Sequence, residues 1–557
     1  MKLTASVTAT APLPAALQQL IHWVKSERTM SPHKARDLLL QGDLKMEDLE
    51  PWAEYDHPAE NSYGRRLVFD GGFFEMMVMS WDPGDCSAIH DHGHTQWGAV
   101  QIFGPAEHAV FLVQDGEIKT LNRTKMKAGQ VLAVGHQLVH QMHNPTNFRF
   151  LTFHLYGNHE RNHSVTADAR VFVLDEHRIQ RTDGGVFFAL PPAAVQRIEP
   201  GPRPDFMTWL RDIVELLKRL HRMKTESPRD ERWVRREKDL QEKLFDKSSW
   251  DWFEGDLMKN VDEKTGHMED MGFWSLLRKE LTAAAQVQKH LLFTQEDGDP
   301  FFTYAELYDD VVGLPCLEEF IAGYLRFVIG RYRLNLREKN FLSIGCGTGA
   351  VEEFLIKELG VAKGRLLGID KSEAMIQVAS RRIHAEAKDL LSLSGQSWDF
   401  TFCGLNVFQY LAPEQLEQAI AVTARITRPG GYFIGDFITP DHIRTYPHVI
   451  RSKNGGVISL RQPVLVERGN CTFQQSEIIN VNRLSNRLRI TDEGKHLRFL
   501  PSLWRLRRLF EKNFQGTVDV YDALTLNPIE KDADTCPSTR ILIVAQRGRG
   551  GEPPRAI

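Results

Sequence analysis

The hydrophobic rhythm of the chain changes twice. Leu17, Leu20, Ile21 and Val24 recur at helical spacing, as do Ala35, Leu38 and Leu39, so a small helical entry is expected after a loose tail at 1–12. From Arg66 to Leu190 the pattern becomes short apolar runs broken by Gly, Asp, Asn and Pro: Phe74–Met79, Gly98–Phe103, Ala109–Val113, Phe150–Leu155. That is the rhythm of an all-β unit. Gly201-Pro-Arg-Pro204 punctuates the chain, and Phe206, Leu210, Ile213, Leu217 and Leu220 then mark an amphipathic helix. The mixed-sign stretch from His221 to Lys247 reads as a solvated helical linker; its acids nearly match its bases, which argues against a nucleic-acid arm. Trp250, Trp252, Phe253 and Trp274 follow on a helical segment, as core or as a cap over a pocket of the next domain.

The second change comes at Asn340, where strands and helices alternate. Phe341–Ile344 is a buried strand, then come a glycine loop, the helix Ala350–Leu359, and strands at Leu366–Asp370, Asp399–Cys403, Tyr432–Asp436 and Arg540–Val544. This predicts a doubly wound parallel sheet. The expected domains are an all-β unit at 1–200, a helical linker at 201–299 that doubles as a possible cap, and an α/β domain at 300–557.

Composition narrows the class. A chain of 557 residues exceeds one ordinary domain, and 42% hydrophobic with 25% charged residues is ordinary globular protein. A net charge of −4 and a pI near 6.6 give no nucleic-acid or membrane footprint. No apolar run reaches the roughly 18–20 residues of a membrane span. The N-terminal segment lacks an apolar signal core, and six cysteines (86, 316, 346, 403, 471, 536) form no CxxC and no disulfide framework. A reducing cytoplasm is the expected compartment.

Two constellations carry chemistry. The first is Gly84-Asp-Cys-Ser-Ala-Ile-His90-Asp-His92, answered by His140-Gln-Met-His-Asn144. Alternate residues of a strand point the same way, so His90 and His92 can reach one metal while Asp91 turns away, and His140 supplies a third imidazole. His94 and His143 read as supporting or surface residues. This two-block pattern resembles the cupin barrel. With Tyr63-Gly-Arg65, Trp81, and Thr152-Phe-His154-Leu-Tyr156 in register, residues 12–160 resemble cysteine dioxygenase.

The resemblance implies Fe(II) on His90, His92 and His140, with dioxygen as co-substrate. Three neutral imidazoles leave the full metal charge to favour an incoming thiolate. Arg65 would fix a substrate carboxylate through a bidentate fork. Tyr156 would donate to the substrate, with His154, held by Thr152, orienting Tyr156, and Tyr63 is a further catalytic candidate. Where a cupin usually carries glutamate, and animal cysteine dioxygenases a cysteine cross-linked to the tyrosine, this chain has Trp97. Neither a carboxylate ligand nor a thioether is expected there, and Trp97 either packs or narrows the pocket.

The second constellation is Gly345-Cys-Gly347-Thr-Gly349 between a strand and a helix, with Asp370 ending the next strand. Glycines there admit a ligand against the backbone, and an acid so placed binds ribose hydroxyls. Gly-x-Gly-x-Gly, the second acid Asp389, the Arg428-Pro-Gly-Gly431 turn and Tyr304 with Tyr308-Asp309 upstream resemble class I methyltransferases using S-adenosylmethionine, over residues 300–546. Gly404-Leu-Asn-Val-Phe-Gln-Tyr410 replaces an Asn-Pro-Pro-Tyr loop, which implies a small-molecule acceptor over a base or peptide amide.

The expectation is therefore a bifunctional enzyme acting on a small-molecule thiol and a small-molecule methyl acceptor, with no nucleic acid and no membrane. The rivals are a dioxygenase for another thiol, such as 3-mercaptopropionate or a cysteine conjugate, and a non-catalytic cupin sensor regulating a methyltransferase. Arg65 argues against cysteamine, which lacks a carboxylate.

Overall fold

The structure, a computed structural model, describes residues 13–58, 60–159, 164–226, 230–244, 246–292, 301–302, 304–395, 397–484, 487–530 and 538–549. The tail at 1–12 and Cys536 lie outside the described residues. The chain divides into two compact units, residues 1–253 with 275–287, and 254–274 with 288–557.

The first unit opens with helices Ala15–Ser26 and Pro32–Gln41. Ser31 caps the second by accepting the Lys34 N–H at 3.1 Å, with Pro32 at the first helical position. Leu17, Leu20, Val24, Leu38 and Leu39 pack with Trp97, Leu151, Phe153 and Leu155 in one core cluster. Two sheets follow. One runs Gly64–Asp70, Phe74–Trp81, Phe150–Gly157, Trp97–Ile102, Val131–Gly135; in the other, Ile89–His90, Val139–His143 and Ala106–Gln114 are neighbours. The strand Phe150–Gly157 sorts its side chains by strict alternation. Leu151, Phe153 and Leu155 enter the helix-side core, while Thr152, His154 and Tyr156 point the opposite way.

The Gly201–Pro204 turn does not end this unit. Arg203–Pro204 pairs with Glu117–Ile118, and the helix Phe206–Glu226 is buried along most of its length. Its polar residues are tied in as well: Arg219 Nη2 donates to Asp85 at 2.8 Å, and Thr208 Oγ1 accepts the Thr120 N–H at 2.7 Å. The charged stretch beyond is only partly a solvated linker. Helix Glu231–Leu244 buries Glu237, Leu240 and Leu244, and Arg236 pairs with Asp175.

In the second unit the sheet order is Ala385–Ala387, Leu366–Asp370, Phe341–Ile344, Trp398–Cys403, Thr427–Ile438, Arg540–Gln546, Val518–Asp522. The first five strands are parallel, but Arg540–Gln546 is antiparallel to both its neighbours, so the sheet is mixed and not wholly parallel. A parallel strand needs a crossover, usually helical, and no helix lies between Asp522 and Arg540 among the described residues. Not anticipated at all is a four-stranded antiparallel sheet, Val449–Arg451, Val457–Arg468, Cys471–Leu484 and Arg487–Phe499. Its central hairpin turns at Gly469-Asn470, Gly469 adopting φ +59°.

Candidate metal centre and cofactor pocket

His90 and His140 face each other across adjacent strands, and His92 closes the triangle. The ligating atoms of all three lie within 4.8 Å of one another, and the residues are buried. Two of the three rings, His90 and His140, are oriented by a contact of Nδ1. His90 Nδ1–H donates to the Ala88 carbonyl at 2.8 Å, which leaves the Nε2 lone pair free. His140 Nδ1 lies 2.8 Å from His108 Nε2, and the Nε2 atoms of His140 and His90 stand 3.1 Å apart. Neither ring nitrogen of His92 has a hydrogen-bond partner. Burial lowers the pKa of His90 to about 4 and pushes His92 and His140 well below the imidazole range, so all three are neutral donors. Buried, neutral, convergent nitrogens with an orphan among them fit a divalent transition metal. Asp91 turns away and accepts the Arg170 N–H at 2.8 Å.

His108, from the strand Ala106–Gln114, was not singled out from sequence. It stands 32 residues from His140 and meets it only through strand pairing. His143 is buried near Glu107 and Glu215, at 3.9 and 4.0 Å, away from the cluster of three.

Opposite the imidazoles stands the inward face of Phe150–Gly157. Trp81 Nε1–H donates to Thr152 Oγ1 at 2.9 Å, Thr152 Oγ1 is 2.7 Å from His154 Nε2, and His154 Nδ1 is 2.7 Å from the Tyr156 hydroxyl. The Tyr156 ring centroid lies 5.0 Å from that of His92. Burial, assisted by the Arg65 charge, lowers His154 to about 3, and burial pushes the Tyr156 phenol far above its usual range. Tyr63 stacks on Trp81 at 4.9 Å. Arg65 acts electrostatically on Tyr63, His154 and Tyr156; its Nη2 reaches Thr166 at 3.3 Å, while its buried Nε has no hydrogen-bond partner.

Trp97 does not line this site. It faces the helix-side core and lies on Gly157, where an added Cβ would come within 1.9 Å of the indole. Gly98 takes the inward position, paired with Tyr156, and its own added Cβ would meet Tyr156 Cδ1 at 2.5 Å. The segment between His92 and Trp97 carries the chain from one sheet to the other, and a one-residue difference in register there exchanges the two faces. No carboxylate or thiol stands at either position.

A second buried group, His57, Asp82 and Asp85, is within ligand distance of itself but already compensated. Asp85 accepts from His57 at 3.0 Å and from Arg219 and Arg222, while Asp82 pairs with Arg149 at 2.6 Å.

In the second unit a cavity of about 670 Å³ opens over the carboxyl ends of the parallel strands, lined by Tyr308, Gly345, Gly347, Asp370 and Asp389 among others. All three loop glycines have positive φ, +67°, +53° and +78°. Gly345 and Gly347 line the cavity, but Gly349 packs beneath helix Glu373–Ala379, where a Cβ would meet Ile383 at 3.2 Å. Asp370 receives the Gly347 and Ser372 N–H groups at 2.9 Å each, and Asp389 pairs with Lys371 at 2.8 Å. Tyr304 accepts from Arg461 at 3.0 Å, and Asp309 pairs with Arg382. Leu405 and Asn406 both adopt left-handed backbone, φ +53°, one residue beyond the strand Trp398–Cys403. A leucine so held is strained, and here it lines the cavity. Sequence reasoning also missed His496, whose ring meets Phe301 and Tyr410 edge-on and whose Nε2 is buried without a partner.

The fold thus defines a chain with a cupin-like domain that carries a candidate metal site and a Rossmann-like domain that carries a large cavity at its strand ends. Residues 3–158 match the family model of cysteine dioxygenase type I, and residues 341–431 match that of a methyltransferase domain. The protein therefore joins a cysteine dioxygenase-type cupin to an S-adenosylmethionine-dependent methyltransferase domain, both enzyme families. Among solved structures, an S-adenosylmethionine-dependent methyltransferase from Clostridium acetobutylicum is 16% identical, with a TM-score of 0.36, over 44% of this chain and 98% of its own. A sugar N-methyltransferase from a Streptoalloteichus species is 18% identical, with a TM-score of 0.35, over 46% of this chain and 97% of its own. No helix among the described residues is long and apolar enough to cross a membrane.

Proposed function

We propose that the N-terminal domain uses Fe(II) and dioxygen to convert L-cysteine, or a closely related carboxylate-bearing thiol, to its sulfinate, and that the C-terminal domain methylates that product from S-adenosylmethionine. The observation that carries the first half is one site holding three neutral, convergent imidazoles, the Thr152–His154–Tyr156 chain and an unpaired Arg65 Nε–H. Fe(II) on His90, His92 and His140 would supply the redox chemistry that joins dioxygen to a thiol sulfur.

Arg65 is assigned the substrate carboxylate, its planar fork adding charge-assisted bonds that a lysine cannot reproduce. Thr152 has one proton. Giving it to His154 Nε2 leaves the His154 Nδ1–H directed at the Tyr156 oxygen, so the phenol proton is free to be donated to substrate. The raised pKa of Tyr156 keeps that proton in place. Tyr63 supplies a second phenol close to Arg65.

Gly345, Gly347, Asp370, Asp389 and Tyr308 are assigned to S-adenosylmethionine, with Gly349 shaping the helix entry. Methylating sulfur first would remove the ionisable thiol, so dioxygenation precedes it. The sulfinate is an anion at neutral pH with a lone pair on sulfur. Its attack forms the sulfur–methyl bond as the sulfonium–methyl bond breaks, giving a methyl sulfone and S-adenosylhomocysteine, with no proton to remove. Cysteine sulfinate plus S-adenosylmethionine, given to a His140→Ala variant, should yield a methylated product by mass spectrometry. None appearing while another acceptor is methylated would refute the coupling, and methylation at the amine would refute attack by sulfur.

A further inference from the structure

The cofactor cavity shares Phe301, Tyr308, Leu405 and Tyr410 with a second, larger cavity of about 860 Å³ walled by the four-stranded sheet. Two arginines from that sheet, Arg461 and Arg498, reach it, and both are buried, at 5% and 9% exposure. Neither pairs with a carboxylate among the described residues. Arg461 donates to the Tyr304 hydroxyl at 3.0 Å, the Tyr446 hydroxyl at 3.3 Å and Ser459 Oγ at 3.2 Å. Arg498 donates twice to the Tyr410 hydroxyl, at 3.1 and 2.9 Å.

The acids nearby are committed elsewhere. Asp436 is held by Arg540, and Glu493 accepts from Thr491 Oγ1 at 2.6 Å and Asn480 at 3.1 Å. The lining acid Glu319 is exposed, as are the lining bases Lys264 and Arg444, and Arg540 is neutralised by Asp436, so Arg461 and Arg498 carry the buried charge of this cavity that no carboxylate of the described residues balances. Burial raises the Tyr446 phenol, yet the two guanidinium groups outweigh it and bring the phenol down to about 8. Burial and the same arginines keep His496 neutral, with a pKa of about 4. Buried cations without a counter-charge are costly, and a site built this way is completed by an anion.

We infer that this cavity is the methyl-acceptor subsite and that Arg461 and Arg498 hold the acidic group of a small organic anion, a carboxylate or a sulfinate. The inference rests on the methyltransferase reading of the adjoining pocket. Tyr410 links the two, since it lines both cavities and carries the Arg498 contact.

The test is calorimetry on the full chain saturated with S-adenosylhomocysteine, titrated with cysteine sulfinate, hypotaurine (sulfinate only) and alanine (carboxylate only). Arg461→Met and Arg498→Met should each weaken binding of the recognised anion by about 10- to 100-fold, with S-adenosylhomocysteine affinity unchanged. Binding at Arg65 in the other domain would be indifferent to both variants. Arg→Lys versions, which retain the charge, replace any Met variant that fails to bind S-adenosylhomocysteine. Hypotaurine responding alone assigns the pair to the sulfinate, and alanine alone to the carboxylate. Anion affinity unchanged in both variants, or no anion binding to the saturated protein, overturns the subsite and leaves the methyltransferase standing. Failure of S-adenosylhomocysteine to bind the unmodified chain overturns the methyltransferase reading, and the inference with it.

Discussion

Removing His108 tests whether the metal centre is tuned from outside its three candidate ligands. His108 is buried on the strand beside that of His140, with its Nε2 2.8 Å from His140 Nδ1. Burial holds it near pKa 4, so it is neutral and can accept the Nδ1–H that leaves His140 Nε2 as donor. His108→Ala removes that acceptor and leaves a buried N–H without a partner. Loss of such an outer contact typically costs about 10- to 100-fold in metal affinity, or about 1.4–2.7 kcal/mol. The assay is anaerobic competition for Fe(II) against a chelator, with thermal unfolding in parallel. His108→Gln, whose amide oxygen can accept the same hydrogen bond, should recover part of the loss. A variant that loses thermal stability while its metal affinity and oxygen uptake stay at the wild-type level would show that His108 only packs.

Three further outcomes follow from other contacts. Arg65→Lys should weaken use of cysteine by about 1.5–3 kcal/mol, read from kcat/KM, because a point charge cannot replace the fork; an unchanged value would mean the carboxylate is held elsewhere. Gly98→Ala places a Cβ 2.5 Å from Tyr156 Cδ1 and 2.7 Å from the Leu155 carbonyl, so it should cost about 1–3 kcal/mol in stability and reduce turnover by displacing the phenol, whereas normal activity and stability would return the inward position to Trp97. Asp370→Ala and Gly347→Val should each reduce S-adenosylmethionine binding in calorimetry while oxygen uptake with cysteine is unaltered; tight binding by both would count against this cofactor.

Much of the candidate metal centre was legible because strand alternation is a rigid rule. His-x-His and Thr152-x-His154-x-Tyr156 each place their chemistry on one face, and the structure holds them so. Trp97 was left between packing and narrowing the pocket, and the structure packs it in the helix-side core; alternation alone could not decide, because the turn before it carries the register and turn length is not written in the alternation. His108 was invisible for a different reason: a lone histidine in an apolar strand gains meaning only from the strand that pairs with it. In the second unit the glycine loop and its following acid were legible from local spacing. The four-stranded sheet left a usable signal in the Gly469-Asn470 turn between long β-rich runs, but Arg461 and Arg498 left none, since arginine is usually exposed and sequence offers no reason to bury it. The Gly201–Pro204 turn read as a boundary because Pro and Gly punctuate locally, while the burial of the helix after it is a tertiary fact.

The most direct test is anaerobically Fe(II)-loaded protein given cysteine and isotopically labelled dioxygen, with products followed by mass spectrometry beside a His140→Ala variant. The wild type should yield a sulfinate carrying both labelled oxygen atoms and the variant none, with S-adenosylmethionine binding equal in the two. Sulfinate formed at the wild-type rate by the variant, or no thiol-dependent oxygen uptake by the loaded wild type with any carboxylate-bearing thiol, would contradict the proposed chemistry of this site.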